Sequence, residues 1–308
     1  MQVHFGLGTL IPEWTSSLVC IGTFDGVHRG HQAVIRTATE LGAARELPVI
    51  VVTFDRHPAA ILSPRKVPPS LRTLPEQLEA FARLGVGMTL VLPFDAALSR
   101  MSAGEFFDVI LRHSLAAKVV VVGHDFAFGN GREGTTEWLQ PRIETVVVPP
   151  YLWNGERVSS TGIRERLTQG DIPGANDRLG QPFRITGFVV KGQQLGRELG
   201  FPTVNLARST GQVLPPDGVY AAMATTIHGT FGAALAIGYR PAVDGQSRTI
   251  EAFLIDYPGH SLYGTEVRLD LYEHLREERN FPSLDRLKAQ MSEDVREIRD
   301  RLASLQLR

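Results

Sequence analysis

The chain has 308 residues, of which 43% are hydrophobic and 21% charged, with a formal net charge of −1. That length exceeds one average domain and predicts two, while the near-neutral balance argues against a surface that coats a polyanion and leaves room only for a local basic pocket. Cys20 is the single cysteine, which excludes an internal disulfide or a zinc cluster of cysteines and suits a reducing compartment.

At the start, "MQVHFGLGTLIPEW" lacks a basic segment and a long apolar core of the kind that marks export. No apolar run approaches the roughly 18 residues of a membrane span. The expectation is a cytoplasmic protein with neither a membrane nor a nucleic acid as partner. Short β-branched runs then alternate with helical patterns: "LVCIG" (18–22), "VIVVTF" (49–54), "MTLVLPF" (88–94), "KVVVVG" (118–123) and "ETVVVPP" (144–150) read as strands. Between them "GHQAVIRTATELG", "PEQLEAFARLG" and "SAGEFFDVILRHS" carry apolar residues at helical spacing. Near-continuous apolar strands separated by helices predict an α/β domain with a parallel sheet covered on both faces, whose ligands sit at the carboxyl ends of the strands.

After "GDIPGANDRLGQPF" the period changes, and we place the domain boundary at 181/182. "RITGFVV" (184–190), "GVYAAMATTI" (218–227), "GTFGAALAIG" (229–238), "RTIEAFLIDY" (248–257) and "TEVRLDLYEHL" (265–275) read as successive antiparallel strands, with His228-Gly229 as a hairpin tip. Such a series predicts a small antiparallel β-barrel. A closing amphipathic helix places Leu284, Leu287, Met291, Val295, Ile298, Leu302 and Leu305 on one face, with Ser283 as its N-cap after Pro282.

The most informative stretch is "CIGTFDGVHRGHQAVI" (20–35), in which His28 and His31 stand where a strand becomes a helix. Three readings are open. A metal site needs more ligands, and His57 and His124 are lone candidates. An anion site is better supported, because Gly22 and Gly26 allow a close turn, Gly30 allows approach to the helix, and a helix N-terminus offers N–H groups to phosphate. The third reading is a glycine-rich turn with two incidental histidines. A second stretch, "RVSSTGIRERL" (157–167), sets three hydroxyls before a helix, more than an N-cap requires. "VVGHDFAFGNGREG" (121–134) ends a strand in a loop whose Phe126 and Phe128 suit either core or ligand, and "TFDRHP" (53–58) ends another. In the second half, "GFVVKGQQLGRELGFPTVNL" (187–206) is glycine-rich yet is no Walker loop, since no Gly-Lys-Ser/Thr follows. Strand period two puts Glu251 on a face with Thr249, Phe253, Ile255 and Tyr257, where a carboxylate is costly to bury without a partner, so it points either to a functional base or to an edge-strand group facing water.

"GTFDGVHRGH" resembles the signature of nucleotidyltransferases that use a His-x-Gly-His motif on a Rossmann-like sheet. That resemblance implies that His28 and His31 stabilise the phosphates of ATP while its α-phosphorus is attacked, with Gly22, Phe24, Asp25 and Gly30 around the nucleotide. It also implies that Ser159, Ser160, Thr161 and Arg164 hold phosphate oxygens and that Asp125 contacts flavin. "GRELGFPTVN" resembles the riboflavin kinase signature. It implies a flap carrying Gly192, Gly196 and Arg197, Thr203 and Asn205 at an Mg²⁺–phosphate site, Glu251 as catalytic base, and Arg276 beside the flavin ring. At 238–243 "GYRPAV" departs from the Pro-Thr-Phe of many relatives, with Ala242 and Val243 in place of the hydroxyl and the ring. Together the two signatures resemble the bifunctional riboflavin kinase/FMN adenylyltransferases. The expected ligands are then ATP, riboflavin, FMN and FAD with Mg²⁺, handled by a monomer or transient oligomer.

Overall fold

The computed structural model describes residues 1–9, 14–192, 200–208, 211–242 and 245–306, which divide into two compact units, Met1–Ser160 and Thr161–Arg308.

The first unit is built on a six-stranded parallel sheet. Its strands are β1 (Gln2–Phe5), β2 (Ser17–Ile21), β3 (Val49–Phe54), β4 (Met88–Leu92), β5 (Ala117–Gly123) and β8 (Glu144–Val148), in the spatial order β1-β4-β3-β2-β5-β8. Two hairpins of two-residue strands decorate it, β6 (Ala127–Phe128) with β7 (Gly134–Thr135) and β9 (Leu152–Trp153) with β10 (Glu156–Arg157). Every residue of β2 is buried, because both faces are covered. Val19 and Ile21 pack with Phe106, Ile110 and Leu111 on one side. Leu18 and Cys20 pack on the other with Val34, Ile35 and Ala38 of helix α1 (Arg29–Ala44) and Phe81 of the helix Leu74–Arg83. Alternate residues of one apolar run thus serve two cores, which is why these strands read as unbroken hydrophobic segments.

All five strands expected in this half are present. β1 was not legible: four residues at a sheet edge, half exposed, bear no continuous apolar signal. Phe106–Ser114, expected as α-helix, winds as a π-helix. The order of strands reverses beside β2. The chain runs outward through β3 and β4, then returns to place β5 on the other flank of β2. The carboxyl ends of β2 and β5 therefore open a crevice at a topological switch point, where ligands of open α/β sheets bind.

The second unit is a closed antiparallel barrel of β11 (Phe183–Val190), β12 (Thr203–Arg208), β13 (Gly218–Thr226), β14 (Gly229–Ala242), β15 (Gly245–Leu254) and β16 (Glu266–Arg276). They close in the order β11-β12-β15-β14-β13-β16. Its interior holds Tyr220, Leu235, Ile237, Ile250, Leu269 and Leu271, with Ala222, Ala224, Ala233 and Ala252 between them. The cross-strand pair Ala222–Ala233 shows how small side chains let so narrow a barrel fill. β12 was not expected as a strand, since its pairing with β15 joins residues 46 apart at Asn205 and Glu251. The β13–β14 tip is Ile227-His228, one residue before the expected one, because Thr226 pairs with Gly229.

The C-terminal helix, Leu284–Gln306, lies on the outer wall, with Ile298 and Leu302 buried against Ala221 and Ile255. Ser283 caps it, its hydroxyl accepting from the Arg286 N–H at 3.3 Å. Leu284 departs from the expected apolar face and is exposed, since it precedes the turns that reach the barrel; the Leu305 side chain lies outside the described residues.

Candidate active sites

In the first unit the residues after β2 make a loop that a free chain would not choose. Phe24 (φ 49°) and Val27 (φ 43°) are left-handed without being glycine, and Gly26 (φ 83°) lies between them. Such backbone persists only when its surroundings over-determine it. Here the Leu71 N–H donates to Asp25 Oδ1 at 2.8 Å, and the Ser160 hydroxyl donates to the Asp25 carbonyl at 2.9 Å. The Gln77 side chain donates to the Thr23 carbonyl at 2.9 Å, and Gln32 to that of Val27 at 2.9 Å. Asp25 is thus a fastener of the loop, and Phe24 is a core residue whose ring stands edge-on to Phe81 and to His31. A β-carbon on Gly22 would lie 2.9 Å from that ring, so glycine is what lets strand and ring pass.

This loop delivers His28 as the N-cap of α1. Its Nδ1 accepts the His31 backbone N–H at 3.2 Å, which fixes the neutral tautomer with the proton on Nε2. The two imidazoles stack with centroids 3.6 Å apart and planes within 18°. Burial, and then the neighbouring His28, hold His31 well below the ordinary histidine pKa. His31 Nδ1 is buried with no hydrogen-bond partner among the described residues. The pair is therefore a set of neutral, directed imidazoles at the positive end of a helix of 16 residues, suited to phosphate oxygens that gain charge as a bond breaks. Gly30 keeps the approach open, for a β-carbon there would meet the His28 ring at 3.1 Å.

Around this centre Ser159 and Ser160 are half-buried at the head of the helix Ser160–Thr168. Thr161 (exposed) and Arg164 (half-buried) continue that helix within the second unit. Asp125, after β5, is exposed and receives a 2.5 Å hydrogen bond from Arg157 of the β9–β10 hairpin. Phe126 and Phe128 are stacked and packed into the core beside the π-helix. Asp55 of the weaker candidate stretch accepts the Phe94 N–H at 2.8 Å and so secures the next loop.

In the second unit Thr203, Asn205, Glu251 and Phe253 share the outer wall of the barrel, because Ile250, Ala252 and Leu254 take the alternate, inward positions. Asn205 is directly opposite Glu251, and the Thr203 hydroxyl donates to Glu251 Oε2 at 3.4 Å. Gly192 lies under the Asn205 amide, where a β-carbon would come within 2.3 Å of Nδ2. Phe201 stands edge-on to Phe253 at 5.2 Å and walls one side. The Thr249 hydroxyl on the same face is turned to the Gly238 carbonyl. The cluster offers a hydroxyl, an amide carbonyl and a carboxylate, which are hard oxygen donors of the kind Mg²⁺ prefers. Among the described residues no group of three or more His, Cys, Asp or Glu gathers as a metal site.

Not every expected residue joins these clusters. Arg276 is on β16, away from the β12–β15 face, and its guanidinium forms a fork with Asp294 of the C-terminal helix at 2.9 and 2.6 Å. Both side chains are nearly enclosed, at 13% and 6% exposure. Gly196, Arg197 and Val243 lie outside the described residues, as does the Ala242 side chain. Sequence reasoning missed Trp153, whose ring stacks under the Arg29 guanidinium at 4.5 Å beside the histidines. The Asn154-Gly155 turn flanked by Trp153 and Glu156 was the available signal for a hairpin there.

The family model for FAD synthetase matches residues 10–162, and that for riboflavin kinase matches residues 179–302. The chain is 37% identical over 283 residues to the bifunctional riboflavin kinase/FMN adenylyltransferase of Escherichia coli K12, covering 90% of each. It is 34% identical to that of Listeria monocytogenes, covering 96% of each. A crystal structure described as a macrolide-efflux protein from Streptococcus pneumoniae superposes with a TM-score of 0.89 at 28% identity, over 97% of this chain and 99% of that one. Efflux does not follow from that description, and no helix among the described residues is long and apolar enough to cross a membrane. With two family models matched in sequence order and relatives aligned over nearly their whole length, the chain belongs to the bifunctional riboflavin kinase/FMN adenylyltransferase family.

Proposed function

We propose that the chain makes FAD in two steps, with the outer face of β12 and β15 as a riboflavin kinase site and the β2–α1 loop as an FMN adenylyltransferase site. The functional halves are taken as residues 1–181 and 182–308. In the first step the ribityl 5′-hydroxyl of riboflavin attacks the γ-phosphorus of ATP, the bond to the β-phosphate oxygen breaks, and FMN and ADP result. Glu251 accepts the hydroxyl proton, while Thr203 and Asn205 present oxygen ligands. When bound there, Mg²⁺ supplies charge neutralisation for the phosphates.

In the second step a phosphate oxygen of FMN attacks the α-phosphorus of ATP, and pyrophosphate leaves to give FAD. The α1 N-terminus with His28 and His31 holds the phosphates as negative charge shifts to the leaving group, with Ser159, Ser160, Thr161 and Arg164 as further phosphate contacts and Gly22, Gly30 and Asp125 bordering the ligands. Both histidines act as neutral donors, so no proton transfer to the protein is required. Gly192, Gly196 and Arg197 are assigned to the kinase flap. For Arg276 we propose an indirect influence on the flavin, through the helix it anchors. The enzyme is proposed to work in the cytoplasm as a monomer or transient oligomer, with small molecules as its ligands.

The observation that carries this reading is the presence, in separate units, of a stacked histidine pair at a helix N-terminus and of a Thr–Asn–Glu cluster on a barrel wall. Purified protein given riboflavin, ATP and Mg²⁺ is expected to accumulate FMN first and FAD second by chromatography. Absence of any flavin product from folded protein overturns the proposal.

A further inference from the structure

The β9–β10 hairpin has a feature that the proposed chemistry does not use. Its strands are only two residues each, and its Asn154-Gly155 turn takes two left-handed positions, φ 50° and 80°, the geometry of a tight hairpin. So short a ribbon does not hold itself in place. It is tied at one end by Arg157 to Asp125 in the loop after β5, and at the other by Trp153, whose indole lies against the Arg29 guanidinium at 4.5 Å. Arg29 is the first residue of α1, between His28 and His31. Tyr151, just before the hairpin, borders the same turn, 3.7 Å from where a β-carbon of Gly30 would be. The segment thus runs from the loop after β5 to the first turn of α1, along the crevice at the switch point.

Within it, the Trp153 indole Nε1 is buried and has no acceptor among the described residues. A buried N–H without an acceptor is unfavourable, and in native proteins such a group marks a place where a ligand or water completes the bond. The charged group seated against this ring is the guanidinium of Arg29, in the first turn of α1, so an acceptor carrying negative charge suits the place.

We propose that Trp153 is a nucleotide-positioning residue of the adenylyltransferase site, its indole N–H donating to a phosphate oxygen of ATP held at the first turn of α1. The inference rests on the reading of that site given above. Arg29, kept against the indole face by cation–π attraction, adds positive charge at the same place. The ring carries the arginine and the N–H carries the contact, which makes the two separable.

Trp153→Phe keeps the ring and removes only the donor. In the full-length protein it is expected to raise the KM for ATP in FAD formation about tenfold, with kcat and the KM for FMN within about twofold. Trp153→Ala, which also releases Arg29, is expected to raise it further. A ring with a purely structural role predicts no change for the Phe variant, and an ATP KM equal to wild type overturns the proposal.

Two measurements keep the test independent of folding and of turnover. Calorimetric titration with pyrophosphate is expected to show binding weakened about tenfold in Trp153→Phe. In the wild-type protein labelled with nitrogen-15, the indole N–H resonance of Trp153 should move downfield on addition of pyrophosphate, while those of Trp14 and Trp138 stay. A resonance that does not move overturns the proposal. If the wild-type chain binds pyrophosphate and shifts this signal yet forms no FAD, the adenylyltransferase reading fails and the assignment of Trp153 as a phosphate donor stands.

Discussion

Two imidazoles stacked at 3.6 Å cannot both be cations without strong repulsion, and this closeness governs how the histidine pair behaves with pH. Burial and His28 together depress the His31 pKa well below 6.5. Its folded-state pKa being lower than its unfolded value, the unfolded chain takes up a proton first as the medium is acidified. The His31 contribution to stability is therefore constant above about 6.5 and falls below it, by about 1.4 kcal/mol per pH unit, until the folded pKa is reached. All three tryptophans, Trp14, Trp138 and Trp153, belong to the first unit, so their fluorescence in urea isolates its unfolding. Between pH 7.5 and 5 the wild-type midpoint should drop more steeply than that of His31→Asn; parallel profiles would mean that His31 charges freely in the fold. The same residue separates the two activities. His31→Ala is expected to lower FAD formation from FMN by about 100-fold or more and to leave FMN formation within about twofold. Glu251→Gln should do the reverse, by about 100-fold or more on the kinase step. Loss of both activities together in either variant would dismantle the two-site assignment, and a chromatographic assay supplied separately with riboflavin or FMN decides it. That His28 and His31 mark a site was legible from their spacing and the glycines around them. Their charge state was not, because it depends on a cap hydrogen bond and on burial under Phe24 that only the folded loop creates.

Among the elements, the C-terminal helix is fastened to the barrel by Ile298 and Leu302, by the enclosed Arg276–Asp294 ion pair, and by the more exposed pairs Arg299–Asp256 and Arg301–Glu273. Arg276 and Asp294 are both enclosed, and the Gln290 amide adds a 2.9 Å hydrogen bond to the same carboxylate. Removing one member of such a pair leaves an uncompensated charge and costs about 3–5 kcal/mol, whereas replacing both with apolar residues can be nearly neutral. Asp294→Ala is accordingly expected to shorten the half-life of riboflavin phosphorylation at elevated temperature. Arg276→Met combined with Asp294→Leu should recover much of it, with the KM for riboflavin at low temperature little altered. A large KM change in Arg276→Met without loss of thermal stability would instead place its guanidinium on the flavin. This assignment shows where sequence reading stops. A strand buried on both faces, such as β2, announces itself in consecutive residues, and so does an amphipathic helix. Arg276 gains its meaning from a carboxylate 18 residues away, and β12 from pairing with β15, neither of which local periodicity records. The kinase cluster was legible as a motif but not as a surface, since only the barrel register turns Thr203, Asn205 and Glu251 to one side.

At the scale of the whole molecule, the division of labour depends on where the chain can be cut. Packing divides it after Ser160, whereas the change of sequence pattern comes at 181/182. The 21 residues between are two helices with different attachments. The second, Ile172–Leu179, packs on β16 and β11, with Ile172, Ala175 and Leu179 buried. Its Asn176 bridges the barrel directly, the amide donating to the Leu271 carbonyl at 2.8 Å and accepting the Phe183 N–H at 2.8 Å. A fragment beginning at 182 loses this lid over β11 and β16. Forgoing the burial of Ile172 and Leu179 alone gives up about 4 kcal/mol, a large share of the 5–15 kcal/mol that holds a domain of this size together. A fragment beginning at 161 keeps all of it. The Ser159–Arg164 run, in contrast, crosses the packing division along the chain, so a fragment ending at 160 forfeits Thr161 and Arg164. The best pair of fragments therefore overlaps. Residues 1–181 should convert FMN to FAD, residues 161–308 should convert riboflavin to FMN, and the two mixed should carry riboflavin to FAD. Residues 182–308 should be markedly less heat-stable than 161–308 at equal initial rate. Equal heat stability of the two barrel fragments would show that the helix Ile172–Leu179 is dispensable to it, and would return the working boundary to 181/182.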